Sequence, residues 1–381
     1  MTVLLAVACG LVVAGLYFSQ PLTQLIGPRL GFAPWAASLI VTLTQIGYGA
    51  GLLLVTPLAD ILENRRLVLV ALCGNVAALV LAALAPNAGV FLAASLLIGL
   101  TAVMAQILVP LAAHLAPEAV RGRVVGNVMS GLLLGILLGR PLASLIAAAA
   151  GWRVVFAAAA VATALLGLVL ARALPQRRPT VVVRYPALLA SLWTLWRTTP
   201  ELRRRARSQA ALFAAFSLFW TAIPLYLTQR FGFGQVGIGL FALAGAGGAA
   251  AAPIAGRLAD RGWIRPAGAV GMAAVLLAFA ATGLHLPLPA LVVAAVVLDA
   301  GVQTHLVVSQ RLIFSLAPEL RGRLNGVFLA VFFAGGAAGS AVAGVLFAHG
   351  WRAVALVGAL LPAAALVGLA AEWRAGATAA K

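Results

Sequence analysis

Long apolar runs dominate this chain of 381 residues, in which 64% of residues are hydrophobic and only 9% are charged. Soluble domains are roughly 45–50% apolar and about 25% charged. A water-soluble core cannot hide so much apolar surface, so lipid must be the solvent for much of the chain. In lipid each segment satisfies its own backbone hydrogen bonds, and these runs lack the apolar–polar alternation of barrel strands. They are therefore predicted to be helices.

Twelve of the runs are long enough to cross a bilayer, which takes about 20 residues. They cover residues 3–26, 34–57, 66–86, 89–113, 123–149, 152–174, 209–230, 234–256, 266–286, 289–311, 323–348 and 351–371. One long polar stretch, 175–208, separates six runs from six. The sequence thus predicts an all-α membrane protein with an N-terminal six-helix bundle (1–174), a basic linker (175–208) and a C-terminal six-helix bundle (209–381).

Short motifs of the first half return in the same order about 200 residues later. Leu58-Ala59-Asp60 with Arg65 returns as Leu258-Ala259-Asp260 with Arg265, and Gly151-Trp152-Arg153 returns as Gly350-Trp351-Arg352. The order and the nearly constant offset indicate that a half-protein was duplicated. In a chain this apolar, a duplicated half is typical of a secondary transporter with a site between its halves.

The basic residues orient the chain in the membrane. The net charge of +18 does not indicate nucleic-acid binding, because the arginines lie in short loops between apolar runs. Arg29, Arg153, Arg230 and Arg352 lie on one side, and the others, apart from Arg140, lie on the side of the linker. This predicts an inner (plasma) membrane protein whose termini and linker are cytoplasmic. The linker itself is either an amphipathic helix on anionic headgroups or a solvated basic segment.

The loop from Thr56 to Arg66, and its second copy from Gly256 to Arg265, resemble the signature loop of the major facilitator superfamily. In the first copy Thr56, Ile61 and Glu63 replace a glycine, an arginine and a glycine of that motif. Four further segments are similar to bacterial twelve-span drug–proton antiporter-like permeases: Tyr17 to Leu22, Thr42 to Tyr48, Ser130 to Pro141 and Leu298 to Gln303. In the third of these, Arg140 stands before Pro141 where the family often has glycine.

The resemblance implies the major facilitator fold, in which twelve transmembrane helices form two pseudo-symmetric bundles that rock around a central cavity. It also implies secondary active transport of a small organic solute by alternating access, with proton-coupled efflux as the leading expectation. The alternatives are a facilitator or importer of a sugar, amino acid or metabolite, and a transport-inactive membrane receptor or scaffold. Carried over from the motif, Asp60 and Arg65, with Asp260 and Arg265, form a conformational latch; the alternative is that these charges only set topology.

Asp299 is the one acidic residue inside a predicted span, and a carboxylate near the bilayer middle is a functional hypothesis by default. It shares a helical face with Gln303 and Gln310, and it either exchanges a proton or pairs permanently with an arginine. His305 is either a proton-coupling group or a hydrogen-bonded packing residue. Arg140, at a similar depth on the fifth run, either pairs with Asp299 across the halves or attracts a polar substrate.

Other polar and aromatic side chains are candidates for a substrate cavity: Tyr17, Gln20, Gln24, Gln45, Gln106, Trp220 and Gln303. Phe213 and Phe216 are either core residues or part of that cavity. Gly131, Gly135 and Gly139 recur every fourth residue, and Gly335 and Gly339 repeat two of them, a spacing that predicts close helix packing.

The sequence contains no signature of an enzyme. It lacks a phosphate-binding glycine-rich loop with lysine and Ser/Thr, and His114, His285, His305 and His349 lack metal-ligand spacing. We therefore expect no cofactor, no metal and no nucleic acid. The expected partners are the lipid bilayer, a small-molecule substrate and a proton, and the protein is expected to be a monomer.

Overall fold

The computed structural model describes residues 1–179 and 183–379, so three residues of the predicted linker and the last two of the predicted C-terminal bundle lie outside the described residues. Every regular element in the described part is helical. In the first half these are α1 (Thr2–Ala14), α2 (Thr23–Arg29), α3 (Leu39–Leu54), α4 (Asn64–Leu84), α5 (Ala88–Ala102), α6 (Met104–Leu115), α7 (Arg121–Ala150) and α8 (Trp152–Ala173). Then follow α9 (Tyr185–Thr198), α10 (Pro200–Phe231), α11 (Gln235–Ala242), α12 (Ala244–Ala249), α13 (Ala251–Asp260), α14 (Ile264–Thr282), α15 (Leu288–Leu316), α16 (Arg321–Ala348) and α17 (Trp351–Ala379).

Eleven stretches among the described residues are helical, long and apolar enough to span a membrane, and a shorter apolar helix, α1, precedes them. Among them, α5 and α6 form one interrupted stretch, Ala88–Leu115, and α11 to α13 form another, Gln235–Asp260. A third stretch, Ala36–Asp60, continues after α3 as a 3₁₀ helix, Thr56–Asp60. The helical class and the order of the spans agree with the prediction from the apolar runs.

The first predicted span is broken rather than merely bent. α1 ends at Ala14, residues 15–19 form turns, and a 3₁₀ helix, Gln20–Leu22, leads into α2. Pro21 has no N–H to donate and its fixed φ suits the start of a helical segment, so a new segment begins here after an interruption that starts at Gly15. The interruption places Tyr17 and Gln20 outside the regular α-helices.

The seventh span begins earlier than predicted. α10 starts at Pro200, whereas the apolar run starts at residue 209. Pro200 occupies the first helical position, and Glu201 adds a carboxylate in the first turn. Arg205, grouped with the linker charges in the sequence, is buried with 5% of its surface exposed. The last part of the predicted linker is therefore helical and belongs to α10.

The glycines at four-residue spacing are packing positions, as predicted. An alanine Cβ at Gly135 would fall on the backbone of Gly10, and one at Gly139 would lie 3.0 Å from the Ala14 carbonyl oxygen, so α1 and α7 touch along their backbones. In the second half, Gly335 meets Ala210 and Gly339 meets Ala214 in the same way. The same pairs of positions make the contact in both halves, 200 residues apart.

The chain divides into two compact units. The first comprises Met1–Leu195 together with Leu227–Leu240, and the second comprises Trp196–Tyr226 and the chain from Phe241 onward. The helix α9 belongs to the first unit as far as Leu195, where Leu188 and Leu192 are buried and the Tyr185 hydroxyl donates to the Leu54 carbonyl at 2.7 Å. Its apolar face is thus used inside the protein.

Candidate functional site

In the first unit, Arg140 brings together two of the predicted cavity residues. Its side chain on α7 is buried, and its Nε donates to Gln20 Oε1 at 2.6 Å. Its guanidinium carbon lies 4.7 Å from the centre of the Tyr17 ring, a cation–π distance. Both partners lie in the interruption of the first span, Tyr17 in its turns and Gln20 at the start of the 3₁₀ helix.

A second polar contact in this unit joins Gln106 to a residue that was not among the candidates. The amide nitrogen of Gln106 donates to the Tyr48 hydroxyl at 3.2 Å. Gln45, one turn before Tyr48, is buried with 4% exposure, and Gln24 is half-buried. A tyrosine on the same span as Gln45 was the available signal, but a lone tyrosine in an apolar run does not reveal its partner.

In the second unit, Asp299 receives a hydrogen bond from Trp220. The indole Nε1 of Trp220 donates to Asp299 Oδ1 at 2.9 Å, and Asp299 is buried in α15 with 8% exposure. Gly248 in α12 makes room for it, because a Cβ at that position would collide with the Asp299 Cβ. The structure therefore unites two sequence candidates that are 79 residues apart.

Aromatic rings surround the tryptophan that holds Asp299. The ring centres of Phe219, Phe241 and Phe216 lie 5.5, 6.1 and 6.3 Å from that of Trp220. Phe213 stacks on Phe332 with ring centres 3.6 Å apart. Asp299 is thus a carboxylate at the edge of an apolar, aromatic region. Gln303, one turn further along α15, is half-buried.

Arg140 and Asp299 belong to different units, and each has a hydrogen-bonding partner in its own unit. Their pairing with each other stays a prediction.

His305 is fully buried and shares a hydrogen bond between its Nδ1 and Gln209 Oε1, with the Ser309 hydroxyl 3.5 Å from the same nitrogen. Gln209 and Arg205 were missed as site candidates. Their spacing was a usable signal, because Glu201, Arg205 and Gln209 recur every fourth residue along one face of α10.

The two signature loops differ in detail. In the first copy Arg65 donates to the Ala171 carbonyl, and the Glu63 carboxylate accepts from the backbone N–H of Arg65 and Arg66 at 2.7 and 2.9 Å, which caps α4. Asp60 is exposed at the end of a 3₁₀ helix. Glu63, noted in the sequence only as a departure from the motif, is the residue that starts the helix.

In the second copy, Asp260 forms an ion pair with Arg311 of α15 at 2.5 Å, with more than half of each side chain exposed. Arg265 is exposed in the first turn of α14. Asp260 therefore links the loop to a helix of its own unit, a contact that the motif did not predict.

Comparison with known proteins agrees with this architecture. The family model described as Major Facilitator Superfamily matches residues 3–284 and 208–378. The chain is 40% identical to the "Uncharacterized transporter YgaY" of Escherichia coli O157:H7 over 98% of this chain and 95% of that protein. It is 37% identical to the "Probable transporter SCO4007" of Streptomyces coelicolor over 93% and 83%. A solved mutant of the nucleoside transporter NupG superposes with a TM-score of 0.74 at 14% identity, over 97% of this chain and 99% of that one.

The chain therefore belongs to the major facilitator superfamily. It is a multi-pass membrane transporter and not an enzyme, and its fold is the twelve-helix fold of that family.

Proposed function

We propose that the protein is a proton-coupled exporter of small aromatic cations that works by alternating access. The observation that carries this proposal is Asp299, a buried carboxylate hydrogen-bonded to Trp220 at the edge of an aromatic cluster. A carboxylate attracts a cation, and aromatic faces bind organic cations through their quadrupoles. Asp299 therefore offers one negative charge for which a proton and an organic cation compete.

That competition couples the two fluxes. A proton on Asp299 removes the charge that holds the cation, and departure of the proton restores it. Because both ligands need the same carboxylate, the carrier exchanges one for the other as the site is presented to either side of the membrane. His305 is a second proton-coupling candidate on the same helix.

Arg140 has a supporting role in this proposal. Its contacts with Gln20 and Tyr17 hold a positive charge at the break in the first span. In this proposal Gln24, Gln45, Gln106 and Gln303 add neutral polar groups that orient the solute.

We place the protein in the inner membrane with both termini and the linker in the cytoplasm, a proposal that the arginine distribution supports. In this orientation Asp60 and Arg65, with Asp260 and Arg265, act at the cytoplasmic ends of the spans as the conformational latch. A cysteine replacing Arg178 in a Cys9→Ser, Cys73→Ser background is expected to resist an impermeant thiol reagent added to intact cells. Rapid labelling would contradict this orientation and place the linker on the outer side of the membrane.

Asp299→Asn tests the coupling. Proteoliposomes with an imposed pH gradient are assayed with ethidium, an aromatic cation, and with benzoate, an aromatic anion. The wild-type protein is expected to accumulate ethidium against its gradient, and Asp299→Asn is expected to lose that accumulation because the amide cannot ionise. Glu118→Gln, which changes an exposed carboxylate in the 3₁₀ turn that precedes α7, is the control and is expected to retain it.

Two outcomes contradict the proposal. If the rate of ethidium transport by the wild-type protein does not depend on the pH gradient, the protein is a facilitator and not a proton-coupled exporter. Gradient-driven movement of benzoate but not ethidium would make Arg140, rather than Asp299, the group that attracts the substrate.

A further inference from the structure

The start of the linker lies against the first signature loop. α8 ends at Ala173, and shortly afterwards both backbone groups of Arg177 contact the beginning of α4. The Arg177 carbonyl accepts from the backbone N–H of Asn64 at 3.0 Å, and the Arg177 N–H donates to the Glu63 carboxylate at 3.4 Å. Two successive residues of the loop therefore hold one residue of the linker through its backbone.

The side chain of Arg177 adds a contact that reaches into the loop. Asn64 is buried, with 3% of its surface exposed. When its amide nitrogen donates to the Ala59 and Leu62 carbonyls, at 2.9 and 3.2 Å, its oxygen accepts from Arg177 Nη1 at 3.2 Å. Asn64 therefore connects the linker to Ala59, the residue that directly precedes Asp60.

The linker also holds the other end of the loop. The Tyr185 hydroxyl donates to the carbonyl of Leu54, the last residue of α3, at 2.7 Å. Carbonyls in the last turn of a helix have no partner within that helix, so a donor from the linker is well placed there. Arg177 and Tyr185 thus bond to residues on either side of the 3₁₀ helix Thr56–Asp60.

The loop between these two contacts has little packing of its own. None of the five residues of the 3₁₀ helix Thr56–Asp60 is buried. Segments with few buried contacts open locally at a low free energy. The hydrogen bonds from the linker are therefore a large part of what holds the loop in one position.

The second signature loop lacks the side chains that make these contacts. The residues 200 positions after Glu63, Asn64 and Arg177 are Trp263, Ile264 and Ala377. None of these three side chains can make the corresponding hydrogen bond. Asp260 of the second loop pairs with Arg311 instead. The side chains that hold a linker are thus present in only one copy of the repeat.

We propose that the linker is a strap that restrains the first signature loop at both ends, with Arg177 and Tyr185 as its anchors. The anchors are positioning residues: they act on Asp60 through the loop and do not touch the Asp299 site. Loosening the strap lowers the fraction of molecules in which Asp60 is correctly placed, and so slows the conformational change. The effect on transport rests on the proposed function, whereas the restraint of the loop does not.

Hydrogen–deuterium exchange of the full-length protein in lipid nanodiscs, measured by mass spectrometry, tests the restraint without a transport assay. The backbone N–H groups of Leu58, Ile61 and Leu62 form hydrogen bonds inside the loop, so their exchange reports its opening. Arg177→Ala and Tyr185→Phe are each expected to accelerate this exchange roughly 2–12-fold, the factor that the loss of one hydrogen bond implies. Tyr185→Phe keeps the ring and removes only the hydroxyl, so it is expected to fold.

Two further variants separate the anchor from a general effect of charge. Arg178→Ala removes the neighbouring arginine, which is exposed, and is the matched control with wild-type exchange. Arg177→Lys can still donate to the Asn64 oxygen and is expected to recover part of the protection. Unchanged loop exchange in the double variant Arg177→Ala/Tyr185→Phe, or equal acceleration in Arg178→Ala, would overturn the proposal.

The transport assay tests whether the restraint matters for turnover. In proteoliposomes the double variant Arg177→Ala/Tyr185→Phe is expected to show a severalfold loss of ethidium turnover with an unchanged KM, and Arg177→Lys is expected to restore part of it. Wild-type turnover in a double variant whose loop exchange is accelerated would contradict the effect on transport. If the wild-type protein does not transport ethidium at all, the proposed function fails, and the exchange result decides on the strap by itself.

Discussion

The two units hold their buried charges in different ways, although both use the same position of the repeat. In the first unit Gln20 accepts a hydrogen bond from Arg140, and in the second unit Trp220, 200 positions after Gln20, donates one to Asp299. The charges themselves lie at unrelated positions: Ser340, the counterpart of Arg140, bonds within its own helix. The hydrogen-bonding partner thus occupies the same position of the repeat in both units, whereas the charged residue is an arginine in one and an aspartate at a different position in the other.

The counterpart of Asp299 is Gly99, and the glycine of this helix contact lies on a different helix in each unit. In the first unit Gly99 lies against the backbone of Thr44 and Tyr48, whereas in the second unit Gly248, the counterpart of Tyr48, lies against Asp299. At each of these paired positions one residue is a glycine and the other carries a side chain, but on opposite helices. Close helix contact is therefore common to both units, and a buried carboxylate occurs at this position in only one of them.

The largest expected effect on stability comes from placing an aspartate in the first unit at the position that corresponds to Asp299. Gly99→Asp adds a Cβ that collides with the Thr44 carbonyl and buries a carboxylate opposite Tyr48. Insertion of aspartate at the centre of a span costs about 2.5–3.5 kcal/mol, and overpacking adds roughly 1–3 kcal/mol. We expect no folded protein after detergent extraction, measured by size-exclusion chromatography and thermal unfolding.

Gly122→Asp is the matched control for this substitution. Gly122 is exposed at the start of α7, nothing lies within 4 Å of its added Cβ, and an acidic residue suits the first turn of a helix. It is expected to fold normally. Adding Tyr48→Gly to Gly99→Asp copies the second unit, and part of the folded protein should then return. A stable Gly99→Asp single variant would show that the glycine at this interface is not needed for space.

The sequence predicted the spans, the repeat and the glycine contacts because each is a local pattern of apolar periodicity or spacing. It also identified Arg140, Asp299, Gln20 and Trp220 as candidates, since polar groups in apolar runs are conspicuous. It did not predict which of them touch. Hydrogen-bonding partners such as Trp220 and Asp299 are far apart in the chain, and the contact depends on helix rotation and on the space that Gly248 provides.

Arg205 and Glu63 show a different reason for failure. Both lie next to other charges, so Arg205 was grouped with the basic linker and Glu63 was noted only as a departure from the motif. Arg205 is buried because α10 extends to Pro200, and helix boundaries are poorly determined by hydropathy once i, i+4 ion pairs stabilise a turn beyond the apolar run. Glu63 is important as a helix cap, a role that depends on backbone conformation.

An intermediate effect on stability is expected from Trp220→Phe, which tests how much the hydrogen bond from position 220 to Asp299 stabilises the second unit. The substitution keeps an aromatic ring in the cluster and removes the hydrogen bond to Asp299. Hydrogen bonds to charged groups contribute about 1.5–3 kcal/mol, so we expect a clear drop in the thermal unfolding midpoint. Trp351→Phe is the control, because its indole donates to a neutral carbonyl, that of Thr282, at 3.2 Å. Neutral hydrogen bonds contribute about 0.5–1.5 kcal/mol, so a larger loss in Trp351→Phe than in Trp220→Phe would contradict an ionised Asp299.

The smallest expected effect concerns the two copies of the signature loop. The first copy is fixed by a helix cap, since Glu63 accepts from the backbone at the start of α4, whereas the second is fixed by the Asp260–Arg311 ion pair. More than half of each side chain in that pair is exposed, and exposed pairs contribute only about 0.2–1 kcal/mol because water and salt screen them. Asp260→Asn is therefore expected to lower the unfolding midpoint slightly, with the difference from wild type vanishing at high salt.

Glu63→Ala, which removes a cap usually worth about 1 kcal/mol, is expected to keep its deficit in the same salt series, because backbone N–H groups at the start of α4 lose their acceptor. Strong destabilisation by Asp260→Asn at every salt concentration would contradict this expectation. The Asp260–Arg311 ion pair would then stabilise the second loop as much as the Glu63 cap stabilises the first, and the two copies would differ only in which residues make the contact.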